Sequence, residues 1–406
     1  MPTRYGRSPW LDQFPKSRIP TYPRHRGPLN VDVVVIGGGL TGCATAYAFA
    51  AAGVKVALFE AGRIGHGASG SSTGWIVDEP GVGFAELEKT TDLRSARYGF
   101  HAWRRAGLDF TALLKRLDIK CHLTPTGLLT AGLTAEQALR LTREQKTRKG
   151  AGLDASMINT RASSEQAGIP TLAALRSRDG ATIDPYRATL GLAAAAAARN
   201  ALIFEGTPVK KTTFTRKYAD VVTNAGSVRV SRIIVATGIP TSLFGSLRRH
   251  FWFKSSYLAL TEPIPARVRQ QLGKRAVVVR DAAIPPHVVR WVDDARLLVS
   301  GADGPTVPAR TREQTMVRRT GQLMYELSTI YPEISGIMPA YGWDVPYALT
   351  AERLPYIGPH RNFPFHLFAF GDSSHGVTGS YLASRIFLRH HLDELDASDS
   401  AFGFNR

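Results

Sequence analysis

The clearest pattern in the chain is the β-branched apolar run Val-Asp-Val-Val-Val-Ile at residues 31–36, which leads straight into Gly37-Gly38-Gly39-Leu40-Thr41-Gly42. A run of that kind, short and bounded by glycine, predicts a strand buried on both faces. Small residues from Cys43 to Ala52 follow, then Gly53 as a stop, then a second apolar run from Val54 to Phe59 ending in Glu60. That order predicts strand, helix, strand, a complete βαβ unit. Two later stretches repeat the first half of the pattern. Residues 228–240 run as a strand into Ala236-Thr237-Gly238, and residues 366–370 run into Gly371-Asp372-Ser373-Ser374-His375-Gly376-Val377-Thr378-Gly379-Ser380, followed by helix-like sequence.

The chain has 406 residues, more than one hydrophobic core usually serves, which predicts two packed domains with room for a large cofactor. Its apolar content is 44%, and no stretch reaches the roughly 18 apolar residues of a membrane span. Two cysteines, Cys43 and Cys121, without any Cys/His ligand spacing, suggest neither a disulfide framework nor a zinc site, and no metal is expected. A reducing cytoplasm is the expected compartment. Residues 1–30 carry six Lys/Arg against Asp12 alone, with prolines throughout and no apolar core segment, which predicts a terminal arm and not a signal peptide. The net charge of +18 is arginine scattered over the chain. Such a surface attracts nucleic acid, anionic membrane or acidic substrates without choosing among them.

Each residue type in the first glycine turn has a mechanical reason. Gly37 permits the tight turn, Gly39 lets backbone approach a pyrophosphate, and Gly42 lets the helix pack on the strands. The phosphates would rest on the N–H groups of the helix start, at Leu40 and Thr41. Glu60, 18 residues past Gly42, is placed to accept hydrogen bonds from a ribose. The small, hydroxyl-rich loop of residues 61–74 suits close passage along an extended ligand. The fingerprint alone leaves FAD and NAD both open, because they share the ADP half.

The three glycine turns, with Gly65-His-Gly-Ala-Ser69-Gly, Gly180-Ala-Thr-Ile-Asp184-Pro185, Tyr257-Leu-Ala-Leu-Thr-Glu-Pro263 and Leu354-Pro-Tyr-Ile-Gly358, resemble the D-amino-acid oxidase, glycine oxidase and sarcosine oxidase superfamily of FAD-dependent amine oxidoreductases. The likeness spans most of residues 31–390. It implies an α/β fold: a discontinuous Rossmann-like FAD-binding domain (31–95, 185–245 and 346–390) and an inserted mixed-sheet α+β substrate domain (96–184 and 246–345). A basic N-terminal arm (1–30) and a C-terminal tail (391–406) flank them. It further implies that Gly37, Gly39, Leu40, Thr41, Gly42 and Glu60 hold pyrophosphate and ribose, Ser69 the phosphate and ribityl region, and Val209 the adenine. Thr237 and Gly238 would flank the nucleotide, and Gly371, Gly376, Val377 and Thr378 would meet the flavin. Monomeric sarcosine oxidases tether flavin to a C-terminal cysteine; both cysteines here lie far upstream, so FAD is expected without a covalent link.

The implied reaction is oxidation of a C–N bond of a small amine or amino acid by hydride transfer to flavin N5, giving an imine that hydrolyses, with O2 as acceptor. Such chemistry needs orientation and electrostatics more than a triad. Arg290 resembles by position a pocket arginine able to bind a carboxylate bidentately. Lys254 lies where sarcosine-oxidase-like members place a lysine that assists oxygen. Tyr257, with Trp252, Trp343 and Tyr347, offers aromatic walls for a cationic amine, and His375 adjoins the flavin turn. Three alternatives stay open: a dehydrogenase using another acceptor, a tRNA-modifying flavoprotein of the same fold, and a non-catalytic nucleotide-binding subunit.

Overall fold

The predicted βαβ unit forms, with the strands Val33–Ile36 and Val56–Phe59 around a helix Leu40–Ala51 that starts three residues earlier than expected. The computed structural model describes residues 2–274, 276–372 and 376–406. Both strands pair in parallel and are wholly buried. The helix is buried almost all round, between the helices Pro185–Ala197 and Val377–Leu392. That is why it is built from Ala, Gly, Cys and Thr: small side chains let helices close on one another and on a sheet.

The six-stranded sheet runs Tyr356–His360, Phe363–Phe370, Arg232–Gly238, Val33–Ile36, Val56–Phe59, Leu202–Phe204. Its neighbours are parallel except for the Tyr356–His360 hairpin edge. Three separated stretches of chain therefore end side by side at the carboxyl ends of the parallel strands, each followed by a glycine turn. In doubly wound sheets that edge is where ligands bind.

Backbone contact fixes this edge. A Cβ at Gly42 would lie 1.8 Å from the Gly37 carbonyl oxygen, and one at Gly37, where φ is +110°, would lie 2.6 Å from that of Ala236. The first contact packs the helix on its own turn; the second packs that turn under the neighbouring strand.

A ten-stranded mixed sheet forms the second layer, in the order Arg4–Tyr5, Pro339–Leu349, Trp252–Thr261, Arg296–Pro305, Val288–Val292, Val277–Asp281, Thr124–Gly132, Ala173–Thr182, Trp75–Ile76, with Ser156–Ile158 beside Ala173–Thr182. Its outer face (Leu129, Tyr257, Ala259, Val299) packs on Leu323 and Leu327 of the helix Ala309–Ile330. Leu258, Leu260 and Trp343, on the other face, join the core of the six-stranded layer. The N-terminal arm is part of this architecture, adding the edge strand Arg4–Tyr5 and a short helix Pro9–Asp12.

His287 ties the outer layer together, with Nδ1 2.7 Å from Asp281 Oδ2 and Nε2 3.0 Å from Glu326 Oε2. The hydrogen bond from Asp281 outweighs burial and, with Glu326, raises its pKa from 6.5 to about 9. A raised histidine pKa adds stability that is complete below the unfolded value and lost as pH rises through the folded one. Unfolding measured from pH 6.5 to 9 should show a decline in stability that His287→Asn abolishes; an identical pH profile would contradict the assignment. Gly42→Ala should cost about 3 kcal/mol or more by overpacking against fixed backbone, readable by denaturant titration, and a loss under about 1 kcal/mol would show that the turn yields.

Candidate functional site

At the carboxyl edge of the six-stranded sheet lies a cavity of about 470 Å³, within the range of sites that enclose large organic ligands. The first glycine turn supplies Gly37, Gly39, Leu40 and Thr41, the end of the second strand Glu60, and the following loop Ser69 and Ser72. Val209, Thr237 and Gly238 line it from the middle of the chain, Gly376 and Val377 from the start of the C-terminal helix. Three of the residues expected to hold the cofactor stand outside its wall. Gly42 is consumed in helix packing, and Gly371, at φ +83°, packs against Thr350 and Phe251. Thr378 both donates to and accepts from the Val77 backbone, at 2.8 and 2.9 Å. His375 lies outside the described residues.

The wall suits a dinucleotide. Gly39 caps the helix Leu40–Ala51 without a side chain, so the first-turn N–H groups, which a helix cannot satisfy itself, need partners from outside the helix. Ser69 Oγ accepts from the Leu40 N–H at 2.7 Å and a Cβ at Gly39 would meet it at 3.0 Å. Glu60 braces the turn by accepting from the N–H groups of Gly38 and Gly62, both at 2.7 Å. Each oxygen keeps a lone pair for a ligand hydroxyl. The N-termini of two helices thus meet here, joined by a hydrogen bond of 2.9 Å between Thr41 and Ser380.

Sequence reasoning missed Thr207, Thr241 and Asp372, which also line the cavity. Asp372 had a readable signal, an acid inside a glycine turn. Its Oδ1 is buried without a hydrogen-bond partner, and burial alone pushes its pKa up to about 7. Tyr347 was legible as an aromatic wall and does line the cavity, its hydroxyl donating to Asp303 at 2.5 Å.

The residues expected to carry chemistry are distributed more widely. Lys254 pairs in register with Tyr347 across neighbouring strands, so both side chains share one sheet face; it is half-buried and among the described residues has no ion pair. Tyr257 is not brought to the cavity. The strand alternation turns it to the outer face, 5.7 Å under the Arg319 guanidinium. Trp252 is exposed, and Trp343 is buried with Nε1 donating to Ser71 O at 2.7 Å.

Arg290 lines a separate cavity of about 190 Å³ with Trp10, Thr126, Thr182 and Asp184. It is buried, and burial lowers its pKa to about 10. One Nη donates to Ile183 O at 3.3 Å, Nε has no partner, and among the described residues no carboxylate forms an ion pair with it. A Cβ at Gly74 would lie 3.0 Å from Arg290 Nη2, and Ser72, two residues earlier in the chain, lines the main cavity.

Among the described residues no group of His, Cys, Asp and Glu is arranged to hold a metal, and no helix is long and apolar enough to cross a membrane. Comparison with known proteins agrees with the cavity. The chain is 27% identical over 380 residues to a gamma-glutamylputrescine oxidoreductase of Escherichia coli, covering 91% of this chain and 86% of that protein. It is 25% identical to a glycine oxidase of Bacillus licheniformis, with 87% and 92% coverage. The crystal structure of glycine oxidase from Geobacillus kaustophilus shares the fold, with TM-score 0.73 and 20% identity over 93% of this chain and 98% of that one. The profile of the FAD dependent oxidoreductase family matches residues 32–389, and the chain belongs to that family.

Proposed function

We propose that this FAD-dependent oxidoreductase oxidises a C–N bond of a small amine that carries a carboxylate, an amino acid or a close analogue, with O2 as acceptor. Relatives named for gamma-glutamylputrescine and glycine support the amine class. The observation that carries the carboxylate is Arg290, a buried guanidinium with one long hydrogen bond and, among the described residues, no ion pair, Asp184 and Asp293 acting on it only through space. A buried charge in that condition is costly unless a counter-ion arrives, and the planar fork of arginine matches a carboxylate with two parallel hydrogen bonds.

Bound FAD supplies the two-electron acceptor. The chain's own part is to orient and to supply charge. Arg290 fixes the carboxylate end of the substrate, and the paired helix N-termini hold negative charge. Lys254, which shares a sheet face with the cavity-lining Tyr347, would supply positive charge for the negative charge that develops during reaction with oxygen. Neither cysteine lines the cavity, in keeping with a cofactor held without a covalent link.

The direct test is an anaerobic screen of amines and of D- and L-amino acids for bleaching of the flavin absorbance. Carboxylated amines should bleach it and simple amines far less; the reverse order would overturn the reading. Arg290→Ala should weaken binding of the carboxylated substrate by about 2–5 kcal/mol, as for one partner removed from a buried charge pair, while an equal effect on simple amines would remove Arg290 from recognition. Lys254→Met, which keeps the apolar stem, should slow reoxidation by oxygen and leave anaerobic bleaching nearly unchanged in stopped-flow measurements. Unchanged rates in both half-reactions would make Lys254 a bystander.

A further inference from the structure

The cofactor loop is held from both sides by tryptophan. Trp343 Nε1 donates to Ser71 O at 2.7 Å from the ten-stranded sheet, and Trp10 Nε1 donates to Ser72 O at 3.0 Å from the N-terminal arm. Two indoles thus grip consecutive carbonyls of a loop whose Ser69 and Ser72 line the main cavity. The arm presses on the loop at two further points. The buried Ser8 hydroxyl donates to Gly70 O, and Leu11 closes on Gly70, where a Cβ would lie 3.0 Å from it.

The arm is itself anchored. Arg4 and Tyr5 pair in parallel with Tyr341 and Gly342, Arg4 makes an ion pair with Asp12, and the Tyr341 hydroxyl donates to Asp12 at 2.9 Å. Trp10 is consequently 8% exposed, though it lies in a segment whose sequence reads as a basic, proline-rich tail.

The same ring has a second contact. Its face lies 5.2 Å from the Arg290 guanidinium carbon, and it forms part of the wall of the 190 Å³ cavity. A ring stacked on a guanidinium covers one face and leaves the in-plane N–H groups free, the edge a carboxylate uses. Trp10 therefore touches the cofactor loop through its N–H and the carboxylate arginine through its π-face.

We propose that Trp10 is a positioning residue for both ligands: its N–H holds the loop that retains FAD, and its ring holds Arg290 in the plane that receives a carboxylate. The second half rests on the reading of Arg290 given above. The N-terminal arm is then part of the site, and cofactor retention and carboxylate recognition share one side chain.

Two substitutions separate the contacts, because Trp10→Phe keeps a ring and loses the N–H, whereas Trp10→Ala loses both. On the FAD-loaded protein the readouts are the rate of flavin release on dilution, followed by fluorescence, and the affinity for acetate by calorimetry. Neither depends on turnover, so failure of the oxidase reading leaves both interpretable. Trp10→Phe should release FAD about fivefold faster, the worth of one hydrogen bond, with acetate affinity within about twofold of wild type. Trp10→Ala should in addition weaken acetate about tenfold through loss of a desolvated cation–π contact. Unchanged FAD release in Trp10→Phe would overturn the loop half. Unchanged acetate affinity in Trp10→Ala, or no acetate binding to wild type, would overturn the arginine half. Should Trp10→Ala fail to fold, Trp10→Leu replaces it in the acetate arm with the same criteria.

Discussion

The closeness of three pieces of backbone at the sheet's carboxyl edge governs the rest of the structure. Gly42 sits on the Gly37 carbonyl, and Gly37 sits under Ala236, each with less room than one methyl group needs. Those contacts bring a helix start, a strand end and a loop to one spot, and the C-terminal helix joins them through Thr41 and Ser380. Backbone N–H groups then converge there, that of Gly38 held by Glu60 and that of Leu40 by the small hydroxyl of Ser69. A pyrophosphate is well matched to such a place, since its charge is spread over several oxygens and is best met by several weak donors aligned with helix dipoles.

Charge is used sparingly where the cofactor would lie. Among the described residues that line the cavity, only Glu60, Tyr347 and Asp372 carry ionisable side chains, although the chain carries a net +18. The strongest buried ionic cluster, Glu79 between Arg148 and Arg280, lies elsewhere and is fully paired; those cations outweigh burial and hold Glu79 near 2. Among the described residues Arg290 differs from these in making no ion pair, and Asp372 in having no hydrogen-bond partner for one oxygen.

The nucleotide half was legible because its signals are local. A strand, a glycine turn, a helix of small residues and a terminal acid fall within 30 consecutive residues, and each glycine of the turn, Gly37, Gly38, Gly39 and Gly42, answers to a contact that the structure displays. The catalytic half was much less so. The face that Tyr257 presents depends on the register of its strand with Arg296–Pro305, which carries an irregularity beside it, and a one-residue slip reverses every side chain. Trp10 was hidden for another reason: the composition of the arm does not say what it packs on, and the arm is seated by pairing with a strand more than 330 residues later. Arg290 could be nominated by residue type, but its place in a cavity apart from the main one is a tertiary fact.

The central claim is that one cavity, built from three separated stretches of chain, holds both halves of FAD. Equilibrium titration of the flavin-free protein with FAD, FMN and NAD tests it most directly, because FMN lacks the ADP half and NAD lacks the flavin. One FAD should bind per chain, with FMN and NAD far weaker. Equal affinity for FMN, or a preference for NAD, would contradict it.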